Sequence, residues 1–175
     1  TVIDNRTKLK ILKLETGTKL PLSGALFEVV DPEGATVGVF STDDDGEIEL
    51  PLTLEGNYTV IERAAPPDHL LSEEPAQNVK VEYGETATLT FYNAPYGNLE
   101  VRKVSDTGDH LPGVLIQIKH IESGVTYTQE TGPSGVAFFS ELQPGGYEVR
   151  ELAGIPGWQA DTDTVQTVNV VSGDT

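Results

Sequence analysis

Three alternating apolar runs in this chain each end in a side chain that can take part in chemistry. Leu9, Ile11 and Lys13 share one strand face, as do Tyr58, Val60 and Glu62, and Leu89, Phe91 and Asn93, because strand side chains alternate with period two. The stripes therefore end in an amine, a carboxyl and a carboxamide. Amines and carboxyls are the groups that nucleophilic attack and proton transfer use. Left unpaired at the end of a buried stripe, any of the three costs several kcal/mol. The plain alternative is ordinary strand-end residues at the rim of a core, solvated and idle. Recurrence argues against it: Leu99, Val101 and Lys103 repeat the first stripe, and Tyr147, Val149 and Glu151 repeat the second.

The elements that position these residues follow from an internal repeat. Leu9–Lys13 overlays Leu99–Lys103 at an offset of 90 (13 to 103), and Gly56–Glu62 overlays Gly145–Glu151 at an offset of 89 (62 to 151). Gln77–Val81 overlays Gln166–Val170 at the same offset of 89 (77 to 166). Within Leu9–Lys13 alone, either Lys10 or Lys13 could point inward. In the second copy Glu100 and Arg102 take the outer face, which turns Lys103, and by alignment Lys13, toward the core. The stretch Thr88–Lys103 reads as the last strand of one unit, a Pro95-Tyr96-Gly97 joint and the first strand of the next.

Short runs rich in Val, Ile, Thr, Tyr and Phe, cut by turn signals, make each unit all-β, with about seven strands in a two-sheet sandwich. Thr42–Gly46 is expected to be a hairpin turn, with Gly132–Gly135 in its place in the second unit. Small sandwiches have modest cores. With no cysteine in 175 residues, disulfides are excluded and another staple is expected. A formal charge of −17, from 28 acidic and 11 basic residues, argues against nucleic acid and anionic lipid as partners. No apolar run is long enough to be a membrane span.

Other motifs carry little. Asp43-Asp44-Asp45-Gly46 lacks the downstream Glu of a calcium loop and reads as a turn. His69, His110 and His120 have no metal-ligand spacing and are expected to be solvated. Trp158 is expected at a core edge. No metal or other cofactor is expected.

At this point the residues resemble a family. L-x-I-x-K-x-E-T-G from Leu9, Y-x-V-x-E-x-x-x-P from Tyr58 and L-x-F-x-N-x-P from Leu89 are similar to Cna-type B domains. These are SpaA-like, immunoglobulin-like or prealbumin-like stalk repeats of Gram-positive surface adhesins and pilins. The resemblance implies parallel, adjacent first and last strands. It implies an isopeptide bond formed spontaneously between Lys13 and Asn93, with Glu62 as catalyst. In the second unit Lys103 and Glu151 match and no Asn does. A second cross-link would need an Asn outside the chain, or Asn5 of a neighbour. The chemistry is consistent with burial, which favours a neutral, attacking amine and a protonated carboxyl able to donate to the amide. The reaction runs once per domain, so the chain is not expected to be an enzyme with turnover.

The expected organisation is residues 1–7 as the last strand of a preceding repeat, 8–95 as a complete sandwich, and 96–175 as a second sandwich lacking its last strand. Thr1, Ile3 and Asn5 share a face as Leu89, Phe91 and Asn93 do, so residues 1–5 could complete the second unit of another copy, head to tail. The expected function is a structural stalk module, extracellular and anchored to the cell wall, with neighbouring repeats as partners. The alternatives are an adhesin module gripping a host protein or glycan through its loops, and a transthyretin-like hydrolase. The hydrolase is disfavoured because nothing pairs the scattered histidines with a nucleophile.

Overall fold

Alternation of apolar and polar residues builds strands along the whole chain. The computed structural model describes residues 7–162 and 164–174. The expected strand at Thr1–Asn5 lies outside the described residues. Two compact units divide between Pro95 and Tyr96. The first contains β1 (Thr7–Glu15), β2 (Leu26–Val30), β3 (Thr36–Ser41), β4 (Glu47–Leu52), β5 (Gly56–Ala64), β6 (Ala76–Val81) and β7 (Thr86–Asn93). The second contains β8 (Gly97–Arg102), β9 (Leu115–His120), β10 (Thr126–Glu130), β11 (Val136–Leu142), β12 (Gly145–Ala153) and β13 (Val165–Val170).

In the first unit a β4-β1-β7 sheet faces a β3-β2-β5-β6 sheet. Leu9 and Ile11 of β1, Phe27 and Val29 of β2, and Val60 of β5 are fully buried in one core cluster. β1 shows why the strand faces inward as it does. Its apolar residues alternate with Lys8 and Lys10, which reach Glu49 and Glu47 across the outer face of β4 at 2.5 and 2.7 Å. On its other edge β1 pairs with β7 in parallel, Lys13 opposite Phe91 and Glu15 opposite Asn93. The second unit repeats this plan, with β11-β8 facing β10-β9-β12-β13. Among the described residues it has six strands instead of seven, and β8 pairs only with β11.

The turns expected to close hairpins do something else. β3 and β4 lie in different sheets, as do β10 and β11, so Asp43–Gly46 and Gly132–Gly135 are arches that carry the chain across the sandwich. Local turn chemistry reads the same either way. Asp43 Oδ1 accepts from the Asp45 and Glu47 amides at 3.0 and 2.8 Å, so this carboxylate closes its own turn. The crossing is fixed by a buried threonine. The Thr42 hydroxyl donates to the Leu22 carbonyl at 2.8 Å and accepts from the Ala25 amide at 3.0 Å. Thr131 repeats both bonds, to Leu111 at 2.6 Å and Val114 at 2.9 Å. Thr42→Val keeps the shape and leaves both backbone groups buried without a partner. It should destabilise the first unit by about 1–3 kcal/mol, measured by urea unfolding. Thr131→Val should do the same to the second.

Candidate functional site

Lys13 sits near the end of β1, and its backbone is held from both sides. Its amide donates to the Gly46 carbonyl at 2.7 Å, and its carbonyl accepts from the Leu22 amide at 2.9 Å. Gly46 has φ of 70°, and a Cβ there would lie 2.6 Å from the Lys13 carbonyl oxygen, so the arch approaches β1 as only glycine permits. This anchorage aims the side chain into the core, where it is fully buried. Its Nζ lies 5.9 and 6.0 Å from the ring centres of Phe27 and Phe91. Burial pushes the Lys13 amine below the ordinary lysine range, although contact with Glu62 pulls the other way.

Glu62 approaches from the opposite sheet. β5 pairs with β2 so that Glu62 stands beside Phe27, and its carboxyl is fully buried. Glu62 Oε1 is 2.9 Å from Lys13 Nζ. The contact is close but not directed as a hydrogen bond: Lys13 Nζ and both Glu62 oxygens are buried with no hydrogen-bonding partner. Asn93 lies on β7, beside β1, and is 1% exposed. Its Nδ2 donates to the Leu70 carbonyl at 2.7 Å, and its Oδ1 is buried without a partner. Lys13 and Glu62 are thus buried with only each other at close range, and these atoms and Asn93 Oδ1 are removed from water without hydrogen bonds. In a folded protein that arrangement is costly enough to ask for a purpose.

The second unit carries the same two residues in a more open setting. Lys103 Nζ lies 2.8 Å from Glu151 Oε2. The Lys103 backbone is bonded to Gly135 at 2.8 Å and to Leu111 at 3.1 Å, as Lys13 is to Gly46 and Leu22. The Lys103 side chain, however, is 29% exposed. It stands in a groove of 360 Å³ lined by Leu99, Val101, Ile116, Val149, Glu151 and Val168, among others. In the first unit β7 occupies the equivalent edge of β1. Asn5, the other residue named for this unit, lies outside the described residues.

Two readings of other residues need correction. His69 and His120 are not solvated. The His69 side chain is 12% exposed and meets Glu15 Oε2 at 3.1 Å. His120 is 2% exposed, with Nδ1 2.9 Å from the Ser123 hydroxyl. Both sit where loops fold back on strands, which spacing alone does not reveal. Trp158 is 45% exposed and not at a core edge. Among the described residues no group of three or more His, Cys, Asp or Glu is placed to hold a metal. No helix of the described chain is long and apolar enough to cross a membrane.

The comparisons agree with this architecture. The family model described as the SpaA prealbumin-like fold domain matches twice, over residues 7–95 and 97–175. The structure of the Bacillus anthracis TIE protein is 30% identical, over 98% of this chain and 32% of that one, with a TM-score of 0.52. A streptococcal ancillary pilin is similar in fold at 21% identity, over 96% of this chain and 60% of that one, with a TM-score of 0.56. The chain therefore spans about a third and three fifths of these two proteins. No curated protein matches the sequence. With each unit matched along its length, the chain belongs to the SpaA prealbumin-like fold domain family, as two tandem all-β domains.

Proposed function

We propose that the chain is a load-bearing stalk segment of a Gram-positive surface adhesin or pilus-like protein, stiffened in its first unit by a self-formed Lys13–Asn93 amide. The observation that carries this reading is the burial without hydrogen bonds of Lys13 Nζ, the Glu62 carboxyl and Asn93 Oδ1, with Lys13 2.9 Å from Glu62 and on β1 beside the β7 strand that bears Asn93. Neutral Lys13 Nζ attacks Asn93 Cγ while the Glu62 carboxyl, in its acid form, donates to Oδ1. The Nζ proton passes to Glu62 and the Glu62 proton to Nδ2. The Cγ–Nδ2 bond breaks, ammonia leaves, and Glu62 ends as it began. The product amide removes a buried ionisable amine and closes a loop of 80 residues (13 to 93). By the chain-entropy model used for disulfides this stabilises by about 4–5 kcal/mol. Since β1 and β7 are parallel neighbours, tension on the ends of the unit falls on the cross-link before it reaches the core. Extracellular, wall-anchored placement is part of the same proposal.

The reading extends to the second unit. Lys103 and Glu151 stand ready for the same bond once a strand bearing an Asn lies parallel to β8 in the groove. That strand would come from chain beyond this sequence, or from Asn5 of a neighbouring copy in head-to-tail association. A host-ligand role through the loops is the weaker alternative, since no aromatic cluster marks a binding face among the described residues.

Intact mass tests the first bond. The folded chain should be lighter than its sequence by one ammonia, and Lys13→Ala or Asn93→Ala should restore the full mass. Glu62→Ala should fold, keep the full mass and melt at a lower temperature. An unreduced wild-type mass would refute the cross-link, and ammonia loss in Glu62→Ala would refute the role of Glu62. For the second unit, a synthetic peptide with the sequence Thr86–Asn93 should give a covalent adduct lighter than the sum by one ammonia. Lys103→Ala, or a peptide with Ala in place of the Asn, should give none.

A further inference from the structure

Asn93 is oriented by a loop that plays no part in the bond-making steps above. A carbonyl oxygen only accepts hydrogen bonds, so the side-chain atom 2.7 Å from the Leu70 carbonyl is necessarily the amide nitrogen. This contact settles the flip of the amide. It leaves Oδ1 buried and unpaired, available to the Glu62 carboxyl, whose own oxygens also lack partners. The reversed amide would set two carbonyl oxygens against each other. The nitrogen held by Leu70 is also the one that must leave.

Leu70 is itself held in place. Its amide donates to the Ala94 carbonyl at 2.9 Å, and His69 bridges to Pro95. The His69 ring ties the loop down. Nδ1 is 2.8 Å from the Pro67 carbonyl and Nε2 is 3.1 Å from Glu15 Oε2. Both side chains of that pair are mostly shielded, at 12% and 19% exposure. Glu15 lies on β1, two residues past Lys13 and directly opposite Asn93 in the parallel register. It is further fixed by the Thr18 hydroxyl at 2.6 Å. The Thr18 and His69 contacts hold the Glu15 carboxyl below the usual carboxylate range, so it stays anionic at neutral pH. The strand that carries the amine thus also anchors the loop that orients the amide.

We infer that residues 66–72 form an amide clamp, in which the Leu70 carbonyl sets the flip of Asn93 and the Glu15–His69 pair holds that carbonyl in place. His69 and Glu15 are positioning residues, and the inference rests on the Lys13–Asn93 cross-link proposed above. The clamp belongs to the first unit alone. The repeat offsets put Ser105 where Glu15 stands and Trp158 where His69 stands. Trp158 is exposed, and Glu151 takes a bond from the Asp161 amide at 3.4 Å instead.

A chase after cell-free synthesis of the full chain, followed by intact mass, measures how fast ammonia is lost. His69→Ala and Glu15→Gln should slow the loss by about tenfold or more, the scale expected when reacting groups are misplaced by a fraction of an ångström to one ångström. His69→Gln, which keeps a donor for Glu15, should fall between His69→Ala and wild type. In an Asn93→Ala background, which cannot cross-link, His69→Ala should leave the melting temperature unchanged. His69→Ala that cross-links at the wild-type rate overturns the clamp. So does His69→Ala that lowers the melting temperature of the Asn93→Ala chain enough to account for the slowing. A wild-type chain that never loses ammonia overturns the cross-link, and the clamp with it.

Discussion

The parallel pairing of β1 with β7 is the constraint on which the first unit depends. It joins residues about 80 apart, Lys13 opposite Phe91 and Glu15 opposite Asn93. Bringing distant segments together costs loop-closure entropy before any contact rewards it. Here the reward is the completed core, in which Phe91 packs on Phe27 at 4.7 Å. Once the two strands lie side by side, the ends of the unit meet, where the proposed Lys13–Asn93 amide would hold the whole sandwich closed. The same geometry makes the site dry. β7 covers the Lys13 side of β1, and the amine is fully buried; along β8 no described strand does this, and Lys103 is 29% exposed.

A buried amine, a buried carboxyl and a buried amide oxygen without hydrogen bonds are a poor way to stabilise a fold. Apolar residues of similar size would serve stability as well or better. The presence of these polar groups is what the proposed cross-link accounts for, since amide formation would remove the buried amine. The backbone around them is held at several points. Gly46 packs on the Lys13 carbonyl, the Asn93 carbonyl accepts from the Thr16 amide at 2.8 Å, and Leu70 holds the amide. Such preorganisation is what the proposed single-turnover reaction would require.

The two units carry one scaffold with different surroundings at the lysine of the first strand. The arch threonines Thr42 and Thr131 and the arch glycines Gly46 and Gly135 recur with nearly the same bonds. So do Tyr58 and Tyr147, whose hydroxyls donate to the Leu54 and Gln143 carbonyls at 3.0 and 2.9 Å. What differs is the loop after β5 and β12. In the first unit it closes over Asn93 through His69. In the second its counterpart lines the groove beside Glu151.

Much of this was legible in the sequence because strand alternation is a local property with a fixed period. The all-β class, the tandem repeat and the inward direction of Lys13 all follow from it, the last only because Glu100 and Arg102 mark the outer face in the second copy. The three stripes also named residues that the fold buries, with only Leu89 among them partly exposed. Partner choice was not legible. Asp43–Gly46 has the residues of a hairpin turn, and only the buried Thr42 bonds make it an arch between sheets. His69 carries no local signal, since its meaning comes from Glu15, 54 residues earlier, and from a loop whose path depends on β7 being in place. Side-chain direction along a strand is set by neighbours one residue away. Which strand lies alongside, and which loop closes over it, is set by packing between segments that the sequence keeps far apart.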